Sequence, residues 1–345
     1  MATFSGCYTA LITPMTSNRQ VDYDGLQQLI DFQIKNGAKG ILTVGTTGES
    51  PTLCWTEHSK VIEKTREYTK TCCTTIAGTG SNNTQEAIEG TQQAKNAGVN
   101  AVLLVDPYYN GPSSLEIRQE YIAPIANRFP EIQIIPYIIP GRTGTQLLPQ
   151  DLATLHNQYP NIQSVKEATG DLQNMELTRK LCGENFDILS GDDDKTYTMI
   201  TTPTIKANGV ISVISNIAPR AVTDIVQYAL NNNQEAANII AQALQPLFNI
   251  ITIKTTEQTP YGPTTCRARN PLAIKTLMNL LGLPAGPCRQ PLGKVTPNAL
   301  EIILSTTRTV HKANPQILQP AADHFDIDLD ERLYNTKYLE GLAYA

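Results

Sequence analysis

The amino-acid sequence predicts an α/β protein, a (β/α)8 TIM barrel with a C-terminal helical region. Three observations carry this. Eight short apolar runs alternate with longer helical stripes over residues 1–232. The runs are almost continuously apolar, as in parallel strands covered on both faces. From Glu235 the strand pattern stops and helical segments follow. A doubly wound open sheet is the competing architecture. It suits fewer strands, and no GxGxxG follows the first one.

The first run, YTALITP (Tyr8 to Pro14), ends at a proline. Leu26, Leu29, Ile30 and Ile34 then recur at i, i+3, i+4 and i+8, a helical stripe. Gly37 closes that helix, and ILTVG follows as a buried strand. A second helix is expected from Thr56 as its cap, with Glu57 and His58 in the first turn. TTIAGTG is the third strand. Thr84 to Asn96 is helical and ends at Ala97-Gly98, and AVLLVDP is the fourth strand. KNGAKGILTV and KNAGVNAVLLV echo one another, with Gly37 and Gly98 where a left-handed residue turns a helix into the next strand.

The alternation continues with IQIIPYIIPG, a helix over Pro149 to Gln158, IQSVKEATG, a helix over Asp171 to Cys182, and FDILSGDD. A helix near Lys195 to Thr201, the strand NGVISVIS and a helix over Arg220 to Leu230 complete it. The eight strands therefore fall near Tyr8, Ile41, Thr75, Ala101, Ile132, Ile162, Asp187 and Gly209.

Residues 233–313 form the helical region, with segments AANIIAQALQPLFNII, NPLAIKTLMNLLGL and NALEIILSTTRTV. The stretch TTEQTPYGPTTCRARNP reads as a linker between the first two. Pro297 suits the first turn of the third. The tail, residues 314–345, reads as polar and irregular. Its DIDLDE run from Asp326 places carboxylates at alternate positions but lacks the glycine and glutamate of a calcium loop, so a solvated tail is expected.

Hydrophobic residues make up 41% of the 345 and charged residues 17%, too apolar a balance for a disordered chain. Lys+Arg 27 against Asp+Glu 32 gives −5, with one Trp and no basic cluster, which argues against nucleic-acid binding. The longest apolar runs, AVLLV and GVISVI, fall far short of the ~20 residues of a membrane span. No basic segment precedes the apolar stretch of MATFSGCYTALITPM, so no secretory signal and a cytoplasmic location are expected. The seven cysteines form no CxxC and are expected to be reduced, mostly buried thiols. His58, His156, His311 and His324 form no HxxxH or HxH pair, so no metal site is expected.

In such a barrel the chemistry sits at the C-terminal ends of the strands. Lys166 ends an apolar strand there. Partial burial lowers a lysine pKa and leaves neutral amine to attack a ketone and form a Schiff base; a strand-end lysine snorkelling into solvent is the other reading. GTTGES (Gly45 to Ser50) is a turn whose backbone N–H groups, with Thr46 and Thr47, suit a carboxylate; a tight βα loop explains it equally well. Tyr109 and Tyr137 are each candidates for proton relay with Thr47, or amphipathic rim residues. Arg142, after Pro140-Gly141, can present its planar fork to a carboxylate, or simply face solvent.

GTTGES, PYYN, PGRTG, VKEATGD, LSGDD and GVISV, in this order and spacing, resemble the dihydrodipicolinate synthase family, from about Phe4 to His311. The resemblance implies a class I, Schiff-base-forming lyase in lysine and diaminopimelate biosynthesis, with no metal or organic cofactor. It implies that Lys166 condenses with pyruvate and that Thr46 and Thr47 bind the pyruvate carboxylate. Tyr137, Thr47 and Tyr109 would form a proton relay, with Tyr109 from a neighbouring subunit. Gly191 and Ile211 would line the pocket, and Arg142 would bind the carboxylate of the second substrate, aspartate semialdehyde. N-acetylneuraminate lyases and 2-keto-3-deoxy sugar-acid aldolases share the lysine and tyrosine but generally lack this arginine. A silent paralogue would be expected to have lost the lysine or a tyrosine. Where the family usually reads Tyr-Asn-Val-Pro, this chain has Tyr137-Ile138-Ile139-Pro140, which removes an amide at that turn.

The resemblance also implies a homotetramer built from two tight dimers. Ser50, Pro51, Trp55, His58, Asn82, Glu86 and Tyr108 match positions where feedback-regulated members bind L-lysine at a dimer interface. Glu86 would meet the α-amino group, and Trp55 and His58 would flank the ligand's stem and ammonium. An ordinary polar subunit interface is the other explanation of this set.

Overall fold

Eight parallel strands close into a barrel in the computed structural model, which describes residues 4–345. They are β1 (Gly6–Ala10), β2 (Gly40–Thr43), β3 (Thr74–Gly78), β4 (Ala101–Val105), β5 (Gln133–Ile138), β6 (Ser164–Glu167), β7 (Asp187–Ser190) and β8 (Gly209–Ser212). The ring is closed by β1 against β8, with Gly6 opposite Gly209. A Cβ on Gly209 would stand 2.0 Å from the Gly6 carbonyl oxygen, so a side chain there would open the seam. The expected (β/α)8 architecture is borne out.

Strand alternation divides the core into two layers. Tyr8, Leu42, Ile76, Leu103, Ile135, Tyr137, Leu189 and Ile211 fill the barrel interior. Ile134, Ile138, Val165, Ile188 and Val210 face outward and pack beneath the helices. This corrects the reading of Ile138. It is the last residue of β5, fully buried in the outer layer and not at a turn, so the missing amide does not touch the barrel mouth.

Gly37 and Gly98 both take positive φ, 87° and 77°, as the repeated helix-to-strand turns require. The second helix begins two residues earlier than a Thr56 cap implies, at Trp55. Cys54 takes the cap position, and the Glu57 carboxylate accepts from its N–H at 3.3 Å. Between β4 and β5 runs a helical stretch, Ser114 to Arg128, that the sequence pattern had not revealed. Pro124 lies within it. Proline offers no N–H and crowds the preceding turn, and the helix widens to a π-turn over Ile117–Ile122 just before it.

The C-terminal region departs from expectation twice. The supposed linker is a hairpin, β9 (Thr252–Thr259) paired antiparallel with β10 (Gly262–Arg269). Its threonines are β-branched and suit a half-exposed pleated ribbon, while Pro260-Tyr261 makes the tight turn. The tail is not a solvated run. Ile317, Leu318, Ala321, Ala322, Leu329 and Leu333 are buried at helical spacing in Gln319–Phe325, Leu329–Tyr334 and the turn before them. Asp328, one of the alternating carboxylates, caps the second of these helices by accepting from the Glu331 N–H at 2.9 Å. Phe325 meets Phe32 edge-on at 5.2 Å, and Arg332 donates to the carbonyls of Asn279 and Leu280 at the end of helix Leu272–Leu281. The tail thus ties the helical region back to the first barrel helix.

Of the seven free cysteines, Cys7, Cys182 and Cys288 are buried, whereas Cys54 and Cys72 are exposed, so fewer thiols are buried than expected. Among the described residues no helix is long and apolar enough to cross a membrane. No cluster of three or more His, Cys, Asp or Glu side chains is placed to hold a metal ion among them.

Candidate active site

Lys166 projects from β6 into the barrel and is 4% exposed. Parallel register pairs it with Tyr137 on β5, which sets both side chains on the inner face. The ammonium lies 4.2 Å from the centre of the Tyr137 ring. Burial lowers the Lys166 pKa to about 8, with Asp192 and Asp193 pulling the other way. An amine of that pKa is roughly one-tenth neutral at pH 7, enough to act as a nucleophile. Burial pushes the Tyr137 phenol up to about 12, against the pull of Arg142 and of the Thr46 side chain, so it keeps its proton.

Gly191, just past β7, leaves the lysine its space. A Cβ there would sit 2.8 Å from Ala168 Cβ and 3.2 Å from Lys166 Cε. Gly191→Ala is therefore expected to lower kcat/KM by roughly 10- to 100-fold by displacing the amine, with unchanged circular dichroism. Ile211 on β8 is fully buried on the inner face.

The GTTGES loop is held in a bent shape. Val44 and Glu49 both have left-handed backbones, φ 46° and 57°, unusual for residues with side chains and costly for a β-branched one. Four contacts hold the loop. The Thr13 hydroxyl donates to the Gly48 carbonyl at 2.6 Å. The Glu49 carboxylate turns inward to the Lys275 ammonium at 2.7 Å and accepts from the Arg289 N–H at 2.8 Å. Asn270 Nδ2 donates to Thr47 Oγ1 at 2.9 Å, which leaves the threonine its own proton to give. Arg142, in the helical turn Pro140–Thr143, donates through Nη2 to the Asn270 carbonyl at 3.0 Å. Burial lowers its pKa.

Tyr109 stands apart. It lies in the loop after β4 and is 84% exposed within its own chain. Thr46, Tyr137 and Arg142 share one cavity of about 470 Å³ with Ser50, Pro51, Trp55, Asn82, Glu86 and Tyr108. Six of the seven expected effector residues therefore line the same opening. His58 is the exception: it is buried, with Nε2 3.2 Å from Ser50 Oγ, and burial lowers its pKa to about 4. Its ring stands edge-on to that of Trp55, 5.3 Å between centres.

Four residues near the mouth had no role in the sequence reading. Asp192 feels Lys166, and burial raises its carboxyl to about 6. Asp193 is buried and accepts from the Val213 N–H at 2.8 Å and from the Ser212 hydroxyl. The strand-end motif SGDD was their signal. Asn270 and Arg269 arrive from the end of the hairpin, where no strand-end argument applies.

Fold and site together define a class, a (β/α)8-barrel enzyme whose lysine, phenol, hydroxyl loop and guanidinium converge at the C-terminal mouth. The chain belongs to the dihydrodipicolinate synthetase family, whose model it matches over residues 3–306. The 4-hydroxy-tetrahydrodipicolinate synthase of Methanococcus maripaludis is 42% identical over 287 residues, which cover 83% of this chain and 92% of that one. The 4-hydroxy-tetrahydrodipicolinate synthase structure from Methylacidiphilum fumariolicum aligns with a TM-score of 0.83 and 34% identity, covering 92% of this chain and 99% of that one. The dihydrodipicolinate synthase of Cyanidioschyzon merolae, solved with lysine bound, aligns at 0.81 and 31% identity, covering 89% and 98%. The family expected from the motifs, and the enzyme class with it, are thus borne out.

Proposed function

We propose that this enzyme condenses pyruvate with L-aspartate 4-semialdehyde to give 4-hydroxy-tetrahydrodipicolinate, through a Schiff base on Lys166 and with no metal or organic cofactor. The observation that carries the reading is the buried Lys166 amine, with its pKa lowered to about 8 and the protonated Tyr137 phenol beside it. The neutral amine attacks the C2 carbonyl of pyruvate, and water leaves as the iminium forms. The iminium is an electron sink. It acidifies the methyl group, and loss of that proton gives the enamine. The enamine carbon bonds to the aldehyde carbon, whose oxygen takes up a proton. The amino group of the semialdehyde then displaces Lys166 by transimination and closes the ring.

Tyr137 suits the proton transfers, because a phenol held protonated can give and recover a proton over a short path. The Thr46–Thr47 turn suits the pyruvate carboxylate, and Arg142 the carboxylate of the acceptor. An exposed Tyr109 suits insertion into a neighbouring subunit of a homotetramer, completing its relay. The reading places the protein in the cytoplasm, in lysine and diaminopimelate biosynthesis. Borohydride trapping with pyruvate followed by peptide mapping tests it. One adduct, on Lys166, is expected; an adduct elsewhere, or none, overturns the mechanism.

The cavity shared with Glu86, Asn82, Trp55 and Tyr108 suits a free amino acid as effector. Millimolar L-lysine is expected to inhibit, and Glu86→Gln to weaken that inhibition. Unchanged turnover at millimolar lysine would remove the effector from the reading.

A further inference from the structure

Two arginines are clasped to each other's neighbouring backbone at the barrel mouth, and the hairpin supplies the second. Arg269 is the last residue of β10 and is half-buried. Its Nη2 donates to the Gly141 carbonyl at 2.9 Å. Arg142 completes the exchange by donating to the Asn270 carbonyl. Each arginine thus holds the backbone next to the other. Neither forms a salt bridge among the described residues. Asp192 is the carboxylate whose field reaches Arg142, and it is shared with Lys166. The charge of Arg269 reaches both Arg142 and Tyr137, lowering the pKa of each.

Two like charges within each other's field repel, and an anion bound by both relieves the cost. A guanidinium carries five N–H donors in a fixed fork. Among the described residues a single backbone carbonyl engages one of them in each arginine. The chain is mildly acidic overall, at −5, so it draws anions through local charge alone. Asn270, between the two arginines and the Thr47 hydroxyl, is buried, and its side-chain oxygen has no hydrogen-bond partner among the described residues.

We propose that Arg269 is a specificity-determining residue, forming with Arg142 a two-guanidinium subsite for the carboxylate of the acceptor aldehyde. The inference rests on the reading above that the acceptor carries a carboxylate. It adds that acceptor choice depends on the hairpin as well as on the barrel. A second cation favours a carboxylate-bearing aldehyde over a neutral polyol aldehyde of similar size, because only the former returns the desolvation cost of the pair.

Steady-state kinetics on Arg269→Gln and Arg269→Lys test this, beside borohydride trapping of the pyruvate adduct. Glutamine keeps an amide donor toward the Gly141 carbonyl but removes the charge. Arg269→Gln is expected to raise KM for aspartate semialdehyde about tenfold and to flatten its dependence on salt. The KM for pyruvate and the trapping rate stay at wild-type values. Arg269→Lys, which restores charge without the fork, recovers most of the loss. An unchanged semialdehyde KM in Arg269→Gln overturns the inference, and so does a matching loss in the pyruvate half-reaction, which marks a merely structural clasp. Wild-type enzyme that traps pyruvate but does not consume the semialdehyde overturns the functional reading, and this inference with it.

Discussion

Replacing Lys166 with methionine lowers kcat/KM by on the order of 10⁵-fold, the scale seen when a covalent nucleophile is deleted. That factor corresponds to about 7 kcal/mol of transition-state stabilisation. The fold is expected to survive, because methionine fills a similar volume in the barrel and replaces a group that is costly to bury. Lys166→Arg loses as much activity, since a guanidinium is never neutral near pH 7. This pair of variants separates the nucleophile from the charge. The pH dependence follows from the same burial. The attacking species is the neutral amine and the folded pKa is about 8. The rate of borohydride-trappable adduct formation therefore falls about tenfold per pH unit below 8 and levels off above it. A rate that stays flat from pH 6 to 8 would mean that Lys166 is not the group being titrated.

The barrel was legible because its signals are local. A parallel strand covered on both faces is an apolar run, and a helix end before such a strand needs a residue like Gly37 or Gly98. Lys166 was legible for the same reason, as a charge at the end of an apolar run. What escaped the sequence depends on distance along the chain. Asn270 meets Thr47 across 223 positions, and Lys275 meets Glu49 across 226. No periodicity connects such partners. The hairpin was missed for a different reason. Pro260 and Gly262 punctuate it, and its exposed threonines lack the apolar face by which strands are usually recognised. The tail was misread because its few apolar residues are spread thinly among charges, and only their burial against helix Leu272–Leu281 and Phe32 marks them as a packing stripe.

The same long-range pair gives the largest expected effect on stability. Lys275 lies mid-helix in a segment buried on nearly every side, with its side chain 1% exposed and that of Glu49 fully buried. All three ammonium protons have acceptors: Glu49 Oε1 at 2.7 Å, the Pro287 carbonyl at 3.0 Å and the Thr13 carbonyl at 3.1 Å. Lys275→Met leaves the Glu49 carboxylate buried with the Arg289 N–H as its remaining partner. Stranding a buried charge in this way costs about 3–5 kcal/mol, read as a lowered denaturation midpoint. Glu49→Gln in the same background removes the stranded charge, and the double variant is expected to recover most of the loss. Function reports on the pair as well, because Glu49 takes its left-handed backbone at the end of the loop that carries Thr46 and Thr47. If the ion pair holds that loop in shape, Lys275→Met raises the KM for pyruvate at temperatures where the protein is still folded. The double variant, though restored in stability, keeps part of that defect. Complete recovery of both properties together would mean that the loop is shaped by its other contacts, Thr13 to Gly48 and Asn270 to Thr47, and that the buried pair serves stability alone.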